Sequence, residues 1–297
     1  MRSYRLYQVD AFTRERFTGN PAGVVPDATG LSDTEMQAIA REMNVSETAF
    51  VFPAAVPDQA MTVRFFTPTT EVPICGHATI SAHWIRAYEG APDGVYTQQT
   101  GAGLLPVEIE RNSGGTRIWM TQQHAIFDEP FDEGVKGEIR RALGVPSLSG
   151  TGPVQIVSTG HSKVMVPLPS TSILHAMEPD LSALARLSAR IGCNGFFAFV
   201  HVEPHDGVLA HGRMFAPAIG IPEDPVTGNA CGPLGAYLAR HGHIAVPTGE
   251  TLQFTVRQGE AIGRPGSVTV EVRREGETFG IRVSGEAVIA FATTIEL

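Results

Sequence analysis

The chain has 297 residues, is 42% hydrophobic and carries a formal net charge of −9 at pH 7. This length and composition allow a substantial core in one large or two medium domains. The negative charge and the lack of a basic run argue against a nucleic acid partner, because phosphate binding needs clustered Lys and Arg. With no apolar leader and no apolar run of about 18 residues, we expect a cytoplasmic protein without a membrane partner.

The first half alternates strand and helix signals. A capping-box pattern marks the first helix, and turn residues separate segments rich in β-branched and aromatic side chains. In chain order the predicted elements are a strand at 4–9, a helix from Ser32 to near Asn44, strands at 48–52 and 61–66 with a turn at 56–58, a loop between Pro68 and Pro73, a buried helix at 76–87, and strands at 107–110 and 117–121 around a turn at 112–115.

The second half follows the same order. A Pro-, Gly- and Ser-rich stretch with a polar helix connects it to the first half. The predicted elements are the polar helix at 136–143, a helix at 182–191, strands at 196–202 and 212–215, a loop between Pro217 and Pro222, a helix at 228–238, strands at 268–272 and 279–283, and a last strand at 287–291 that returns to the first domain. We expect an N-terminal domain of residues 1–117 plus 286–297 and a C-terminal domain of residues 118–285.

An internal repeat underlies this common order. Average residue usage gives about two identities in a window of this size, whereas eight are found at an offset of 149. The first-half residues that recur are Ala40, Arg41, Ala49, Phe50, Val51, Arg64, Phe66 and Pro68. Inside this window Glu47 is matched by Phe196, so one half offers a carboxyl group where the other offers a ring. Two similar halves with unlike residues predict an asymmetric site in the cleft between them.

Two buried helices begin at glycines, Gly76 and Gly228, which match at an offset of 152. If a pseudo-two-fold relates the halves, both helix N-termini point at the shared cleft and offer N–H donors and positive partial charge to a carboxylate. The alternative is that these glycines only allow close helix packing.

Three side chains near these helix starts are candidates for the chemistry. Glu47 lies at the edge of an apolar strand, where partial burial would raise a carboxyl pKa toward neutrality and suit a group that takes and returns a proton. His77 is the first side chain of its helix, where a neutral imidazole is favoured. Asp224 lies in a proline-bounded loop four residues before Gly228. Their structural alternatives are a solvated strand end, a core histidine and a helix cap.

Metal and cofactor sites are not indicated. Cys75, Cys193 and Cys231 show no CxxC spacing, and His77 and His83 are six residues apart, which does not place them on one helical face. HExxH and Gly-rich phosphate motifs are absent from the sequence. We therefore expect neither a metal nor a cofactor.

Five segments closely resemble the phenazine-biosynthesis PhzF-like isomerases, and they span both halves. The segments are FTGNPAGVV at 17–25, NVSETAF at 44–50, FTP at 66–68, CGHAT at 75–79 and EDPVTGNA at 223–230. The resemblance implies an α+β fold of the diaminopimelate epimerase-like type, in which two pseudo-symmetric domains each wrap a sheet around a central helix. It also implies a homodimer.

The same resemblance implies a function. The chain is expected to be an isomerase that moves a proton between carbons of a small carboxylic acid without metal or cofactor, with Glu47 as general acid and base. His77 matches the family's substrate-contacting His and Asp224 its acidic partner, and both are implied to act in catalysis by orienting the substrate and holding its charge. The remaining matched positions are implied to bind the substrate: Asn20, Gly76, Gly228 and Asn229.

The motifs STGHSK at 158–163 and CNGFF at 193–197 are most similar to an uncharacterised bacterial branch of the family. His161 and Lys163 stand where apolar residues are expected in the phenazine isomerase. This difference predicts a more polar or more anionic substrate.

Two other functions remain open from the sequence. More distant epimerases use one thiol from each half, and Cys75 resembles the first of these thiols. Thr227 stands at the second position, with Cys231 one helical turn beyond it, so a two-thiol amino-acid racemase or epimerase is one alternative. A protein that binds a small carboxylate without turnover is the other.

Overall fold

A computed structural model describes residues 1–54, 61–150 and 152–297. These residues form two compact units, residues 1–121 with 284–297 and residues 122–283, which we call unit 1 and unit 2. The predicted turn at 56–58 lies outside the described residues. Among the described residues, no helix is both long and apolar enough to cross a membrane.

Unit 1 contains two helices, several strands of a mixed sheet and the last strand of the chain. The helices are α1, Asp33–Met43, and α2, Gly76–Tyr88. The strands that precede unit 2 are β1 Ser3–Ala11, β2 Asn20–Val25, β3 Glu47–Pro53, β4 Met61–Phe66, β5 Glu71–Val72, β6 Gly94–Thr100, β7 Gly103–Asn112 and β8 Gly115–Thr121.

Unit 2 contains four α-helices and most of the remaining strands. The helices are α3 Glu133–Ala142, α4 Thr171–Ala176, α5 Leu181–Ile191 and α6 Gly228–Arg240. The strands are β9 Ile126–Phe127, β10 Gln155–Ser158, β11 Ser162–Pro167, β12 Phe196–His205, β13 Val208–Ala216, β14 Ile221–Asp224, β15 Thr251–Gln258, β16 Gly266–Glu275 and β17 Thr278–Gly285, which ends in unit 1.

The last strand, β18 Ala287–Glu296, pairs antiparallel with β1 from Ala287↔Ala11 to Glu296↔Ser3. The last strand, which was expected to return to the first domain, thus lies in unit 1. In unit 1 the sheet order is β18–β1–β2–β3–β4–β6–β7–β8. Helix α2 packs against strands from both ends of this order, so the sheet curls around it.

Local signals explain the helices of unit 1. The Ser32 side chain accepts a hydrogen bond from the Glu35 N–H, and the Glu35 carboxylate accepts one from the Ser32 N–H, which completes the predicted capping box. Asn44 ends α1 with φ of 51°, a left-handed conformation that asparagine tolerates. Most of the 13 residues of α2 are buried, as expected for a helix that is apolar around its circumference.

In unit 2, α6 packs against β10, β11 and β16. Helices α3, α4 and α5 cover a second apolar core that includes Phe196, Phe215 and Leu184, all almost fully buried. The predicted helices at 136–143, 182–191 and 228–238 are confirmed as α3, α5 and α6 within a few residues.

Two sequence expectations are corrected. The segments 68–73 and 217–222 were expected to be loops. The first contains the whole of the short strand β5 and the second contains the start of β14, and each strand pairs antiparallel with the strand before it. Strands this short are too brief to show the alternation of apolar and polar residues that predicts a strand. They are stabilised by ion pairs with the preceding strands. Arg64 binds Glu71 through two contacts of 2.7 Å, and Arg213 binds Glu223 at 2.9 and 2.8 Å.

Candidate active site

Glu47 is the first residue of β3, where it pairs with Ala22 of the parallel strand β2. Only 12% of its side chain is exposed. Its Oε2 is buried and forms no hydrogen bond among the described residues, although His77 Nε2 lies 3.3 Å away. A buried carboxylate oxygen that lacks a hydrogen bond is unusual and indicates a functional position.

His77 connects Glu47 to two neighbouring side chains. Its Nε2 lies 3.2 Å from the Ser46 hydroxyl, and its Nδ1 lies 3.4 Å from Cys75 Sγ. Two assignments of protons satisfy these two contacts: either the Cys75 thiol donates to Nδ1 and Nε2–H donates to the Ser46 oxygen, or Nδ1–H donates to Cys75 Sγ and the Ser46 hydroxyl donates to Nε2. Glu47, expected at the edge of an apolar strand, and His77, expected at the start of a helix, thus lie in contact.

The start of α2 leaves backbone donors available. Cys75 is its N-cap residue and forms no side-chain cap hydrogen bond. The first N–H groups of a helix have no partner within the helix, and its dipole is positive there. The N–H groups of Gly76 and His77 therefore lie at the start of the helix whose first side chain, His77, contacts Glu47, and such a helix start suits an anionic ligand.

Asn20 is the first residue of β2 and is fully buried. The residue before it, Gly19, has φ of 62°, and a side chain there would collide with the Ala11 carbonyl oxygen. Glycine is therefore needed to bring the chain into β2 at this point. Asn20 lies two residues before Ala22, the residue that pairs with Glu47.

Asp224 ends β14 in unit 2, and its carboxylate accepts a short hydrogen bond from the Thr227 hydroxyl. The buried Gln258 side chain holds the segment from Asp224 to Thr227 by two hydrogen bonds. Its Nε2 donates to the Asp224 carbonyl oxygen at 2.7 Å, and its Oε1 accepts from the Thr227 N–H at 3.0 Å. Gln258 was not anticipated from the sequence, because it lies over thirty residues away on β15.

The start of α6 resembles that of α2. Thr227, its N-cap residue, forms no side-chain cap hydrogen bond to the N–H groups of Gly228 and Asn229, whereas the Ala230 N–H donates to the Thr227 carbonyl oxygen at 3.0 Å. Gln122 Nε2 donates to the Gly228 carbonyl oxygen and to Asn229 Oδ1, both at 3.3 Å. A side chain at Gly232 would collide with the Gln122 amide, so this glycine makes room for the contact.

Two further groups of unit 2 bear on the chemistry. Cys231 is fully buried, and burial raises the pKa of its thiol, followed by a smaller effect of the Asp224 charge. Burial lowers the pKa of Lys163, against the opposing effect of Cys193 and Asp224. The Lys163 Nζ donates to the Ser162 carbonyl oxygen at 3.1 Å. No described carboxylate lies within ion-pair distance of it.

Within each unit the predicted residues fall into a cluster. Unit 1 brings together Glu47, His77 and Gly76, while unit 2 brings together Asp224 with the helix start at 228–229. The ligand-type atoms of Glu47, Cys75 and His77 lie within 4.8 Å of one another, so this trio has the geometry to hold a metal ion. Sequence reasoning missed Ser46 as a partner of His77, although Ser46 adjoins Glu47.

Known proteins resemble this chain over its whole length. The sequence profile of the PhzC-PhzF family, described as phenazine biosynthesis-like protein, matches residues 9–293. An uncharacterised isomerase of Clostridium acetobutylicum is 49% identical over 302 residues, covering 100% of this chain and 99% of that protein. A trans-2,3-dihydro-3-hydroxyanthranilate isomerase of Pseudomonas aeruginosa is 35% identical over 292 residues, covering 97% of this chain and 98% of that protein.

Solved structures give the same result. A phenazine biosynthesis protein of the PhzF family from Bacillus anthracis superposes with a TM-score of 0.90 and 31% identity over 100% of both chains. A hydroxyproline epimerase from Agrobacterium vitis shares the fold, with a TM-score of 0.64 and 12% identity over 99% of this chain and 91% of that one. The predicted α+β, epimerase-like fold class is confirmed. The chain belongs to the PhzC-PhzF family of phenazine biosynthesis-like proteins and is an isomerase of the PhzF type.

Proposed function

We propose that this isomerase moves a proton between two carbons of a small carboxylic acid without a cofactor, with Glu47 as general acid and base. The observation that carries the proposal is the Glu47 carboxyl group: it is largely buried, and its Oε2 forms no hydrogen bond among the described residues. The carboxylate takes a proton from one carbon, and the carboxylic acid so formed gives that proton to another.

His77 orients the Glu47 carboxyl group in this proposal. Its Nε2 lies 3.3 Å from Glu47 Oε2, and the contact of its Nδ1 with Cys75 fixes the ring. The ring supports the carboxylate through this close contact, without a hydrogen bond to Oε2. Negative charge that develops on the substrate is stabilised by the first N–H groups of α2.

We propose that unit 2 contributes to binding. Asp224 is held by Thr227 and Gln258, and Gly228 and Asn229 supply the helix start that would receive a substrate carboxylate. Lys163, a cation without a described carboxylate partner, supports an anionic substrate. Asn20 remains a proposed contact in unit 1.

The two-thiol alternative has weaker support. A thiol base must reach the thiolate form, and burial holds the Cys231 pKa well above its usual range. Thr227, at the other candidate position, carries a hydroxyl that donates to Asp224. The Cys75 thiol faces His77, so a role for Cys75 is the part of this alternative that needs a direct test.

The test is turnover of candidate carboxylates in D₂O, followed by NMR. The first compound is trans-2,3-dihydro-3-hydroxyanthranilate, the substrate named for the Pseudomonas aeruginosa relative, followed by cyclic carboxylates and amino acids. We expect a product with a shifted double bond that carries solvent deuterium, formed equally by wild type and Cys75→Ser. Inversion of an amino acid that Cys75→Ser abolishes would replace the proposal with the racemase, and binding without turnover of any compound would replace it with a binding protein.

The homodimer implied by the resemblance also stays a proposal. Sedimentation equilibrium of the purified protein tests it, because the chain mass is 31.7 kDa and a dimer has twice that mass.

A further inference from the structure

A second cluster of metal-ligand side chains lies in unit 2. His175 is near the end of α4, His211 lies in β13, and Glu260 opens a 3-10 helix at Glu260–Ile262 directly after β15. The three residues come from separate parts of the chain, so no sequence spacing announces them. Their ligand atoms nevertheless lie within 4.8 Å of one another.

The distances in this cluster suit a metal ion. Glu260 Oε2 lies 3.0 Å from His211 Nδ1 and 3.3 Å from His175 Nε2. Zinc binds histidine nitrogen and carboxylate oxygen at about 2.0–2.1 Å, so neighbouring ligand atoms of a tetrahedral site are about 3.3 Å apart. The same Glu260 oxygen faces both rings, and its two distances are within a few tenths of an ångström of this value, while the ligand atoms of all three residues lie within 4.8 Å of one another.

The surroundings of Glu260 hold it in this orientation. Its other oxygen, Oε1, lies 3.2 Å from Arg257 Nε, which leaves Oε2 directed at the two rings.

The backbone before Glu260 is fixed as well. Gly259 has φ of 85°, and a side chain there would collide with the Arg264 carbonyl oxygen and come within 2.9 Å of the Pro225 carbonyl oxygen. Only glycine therefore fits this turn readily. The turn makes Glu260 a rigid ligand rather than one on a flexible loop.

We propose that His175 Nε2, His211 Nδ1 and Glu260 Oε2 bind one divalent transition metal ion of the Zn²⁺ type. Two histidines and one carboxylate are a common set for such ions, and solvent completes the coordination. The His175 side chain is 40% exposed and those of His211 and Glu260 are 20% exposed, which leaves room for ion entry and for a bound water. The proposed site departs from the sequence expectation of no metal.

The ion would be structural, because it joins α4, β13 and the turn after β15. Gln258, two residues before Glu260, holds the Asp224–Thr227 segment by its amide group. Metal binding at Glu260 therefore stabilises the part of unit 2 that supports the α6 start. It is separate from the Glu47 trio, and the proposal does not depend on the isomerase chemistry.

The test uses purified full-length protein stripped with a chelator and titrated with Zn²⁺ by calorimetry, and with Co²⁺ by visible absorption. We expect one ion per chain and, at a hundredfold excess over Kd, a rise in Tm of about 5 °C. His175→Ala with His211→Ala abolishes binding, and Glu260→Gln weakens it at least tenfold. Circular dichroism of the unliganded variants checks their fold.

Two controls locate the ion. His205→Ala removes an exposed histidine beside Asp206 in the same unit and should leave the titration unchanged. Cys75→Ser removes a ligand from the Glu47 trio and should also leave it unchanged. Three results would each overturn the proposal. These are no binding of Zn²⁺ by the wild type, binding of Zn²⁺ by the double histidine variant, and loss of binding in Cys75→Ser.

Discussion

Unit 1 and unit 2 contain matching arginine–glutamate pairs at the same point of the repeat. Arg64 binds Glu71 in unit 1 and Arg213 binds Glu223 in unit 2, each through two hydrogen bonds. Each arginine also lies over a phenylalanine two residues further along its strand, at 5.2 Å from the Phe66 ring and 5.1 Å from the Phe215 ring. The repeat therefore preserves a structural pair together with the short strand that the pair anchors.

Two of the positions at which the halves differ hold candidate functional residues. Glu47 and Phe196 each begin a strand and pair there with the parallel strand before it, yet one is acidic and the other is a fully buried ring. Immediately after the matched glutamates stand Val72 in unit 1 and Asp224 in unit 2. Each half thus has one acidic residue where the other is apolar. The scaffold residues are shared, whereas the candidate functional residues have diverged.

The largest expected effect is on the acid of unit 1. Glu47→Gln keeps the size of the side chain and removes its ability to take a proton, so kcat/KM should fall by about 10²–10⁴ with the substrate that the turnover assay identifies. Glu71→Gln is the matched control, because it removes a carboxylate of the same unit outside the cluster and should keep kcat. Steady-state rates measure both. Equal losses in the two variants would contradict the division between functional and structural acids.

Stability should distinguish the two arginine pairs. The Arg213 and Glu223 side chains are 8% and 14% exposed, and Arg213 also donates to the carbonyl oxygens of Leu174 and Met177 at 3.0 Å. Arg213→Met leaves a buried carboxylate without its partner and should lower the free energy of unfolding by about 3–5 kcal/mol. Arg64→Met breaks a more exposed pair and should cost about 1 kcal/mol or less.

Urea unfolding of the two variants measures this difference. An equal loss of the free energy of unfolding in both variants would show that burial does not determine how much each arginine–glutamate pair stabilises the protein.

The central helices differ in their response to acid. Burial lowers the His83 pKa to about 3, and its Nε2 lies 3.0 Å from Gln98 Oε1; the matched position in α6 is Gly235. Above pH 6.5, His83 is neutral in both the folded and the unfolded chain. Between pH 6.5 and 3 only the unfolded chain takes up the proton, so this group lowers stability by up to about 1.4 kcal/mol for each pH unit of acidification.

His83→Gln tests this dependence, because glutamine keeps an N–H donor for Gln98 but does not titrate. The free energy of unfolding of the variant, measured by urea at several pH values, should fall less steeply between pH 6.5 and 4 than that of the wild type. If the free energy of unfolding depended on pH equally in both proteins, His83 would not contribute to the acid sensitivity.

The smallest predicted effect concerns Lys163. In the parallel pairings, Ala22 matches Val164, so Pro21 of unit 1 stands where unit 2 has Lys163. Lys163→Met removes a cation and should raise KM of an anionic substrate about tenfold with little change in kcat. Lys136→Met, which removes a lysine paired with Glu133 on α3, is the control and should leave KM unchanged. A fall in kcat alone would assign Lys163 a different role.

Local sequence signals were sufficient for elements that depend on neighbouring residues. The Ser32–Glu35 box gave the start of α1, and the Asn112–Gly115 turn gave the β7–β8 hairpin, whose register pairs these two residues. Strands β5 and β14 could not be predicted, because they are held by ion pairs with arginines of the preceding strands, Arg64 of β4 and Arg213 of β13. Strand β15 was also missed, although it carries Gln258.

The candidate site shows the same limit. Family motifs and the break in the repeat are enough to single out Glu47, His77 and Asp224 as candidates. The partners of these residues depend on tertiary folding: Gln258 reaches Asp224 from β15, and Gln122 reaches Asn229 from the chain after β8. Sequence spacing carries no information on such contacts, which is also why the His175 cluster escaped prediction.

The most direct test of the central claim is the incorporation of solvent deuterium by Glu47→Gln at saturating substrate. NMR in D₂O follows the label, and saturation transfer to the ligand resonances shows that the variant still binds. The account predicts that the wild type places deuterium on a substrate carbon and that Glu47→Gln binds the same compound without exchange. Exchange at the wild-type rate in Glu47→Gln would show that another group moves the proton and would contradict the account.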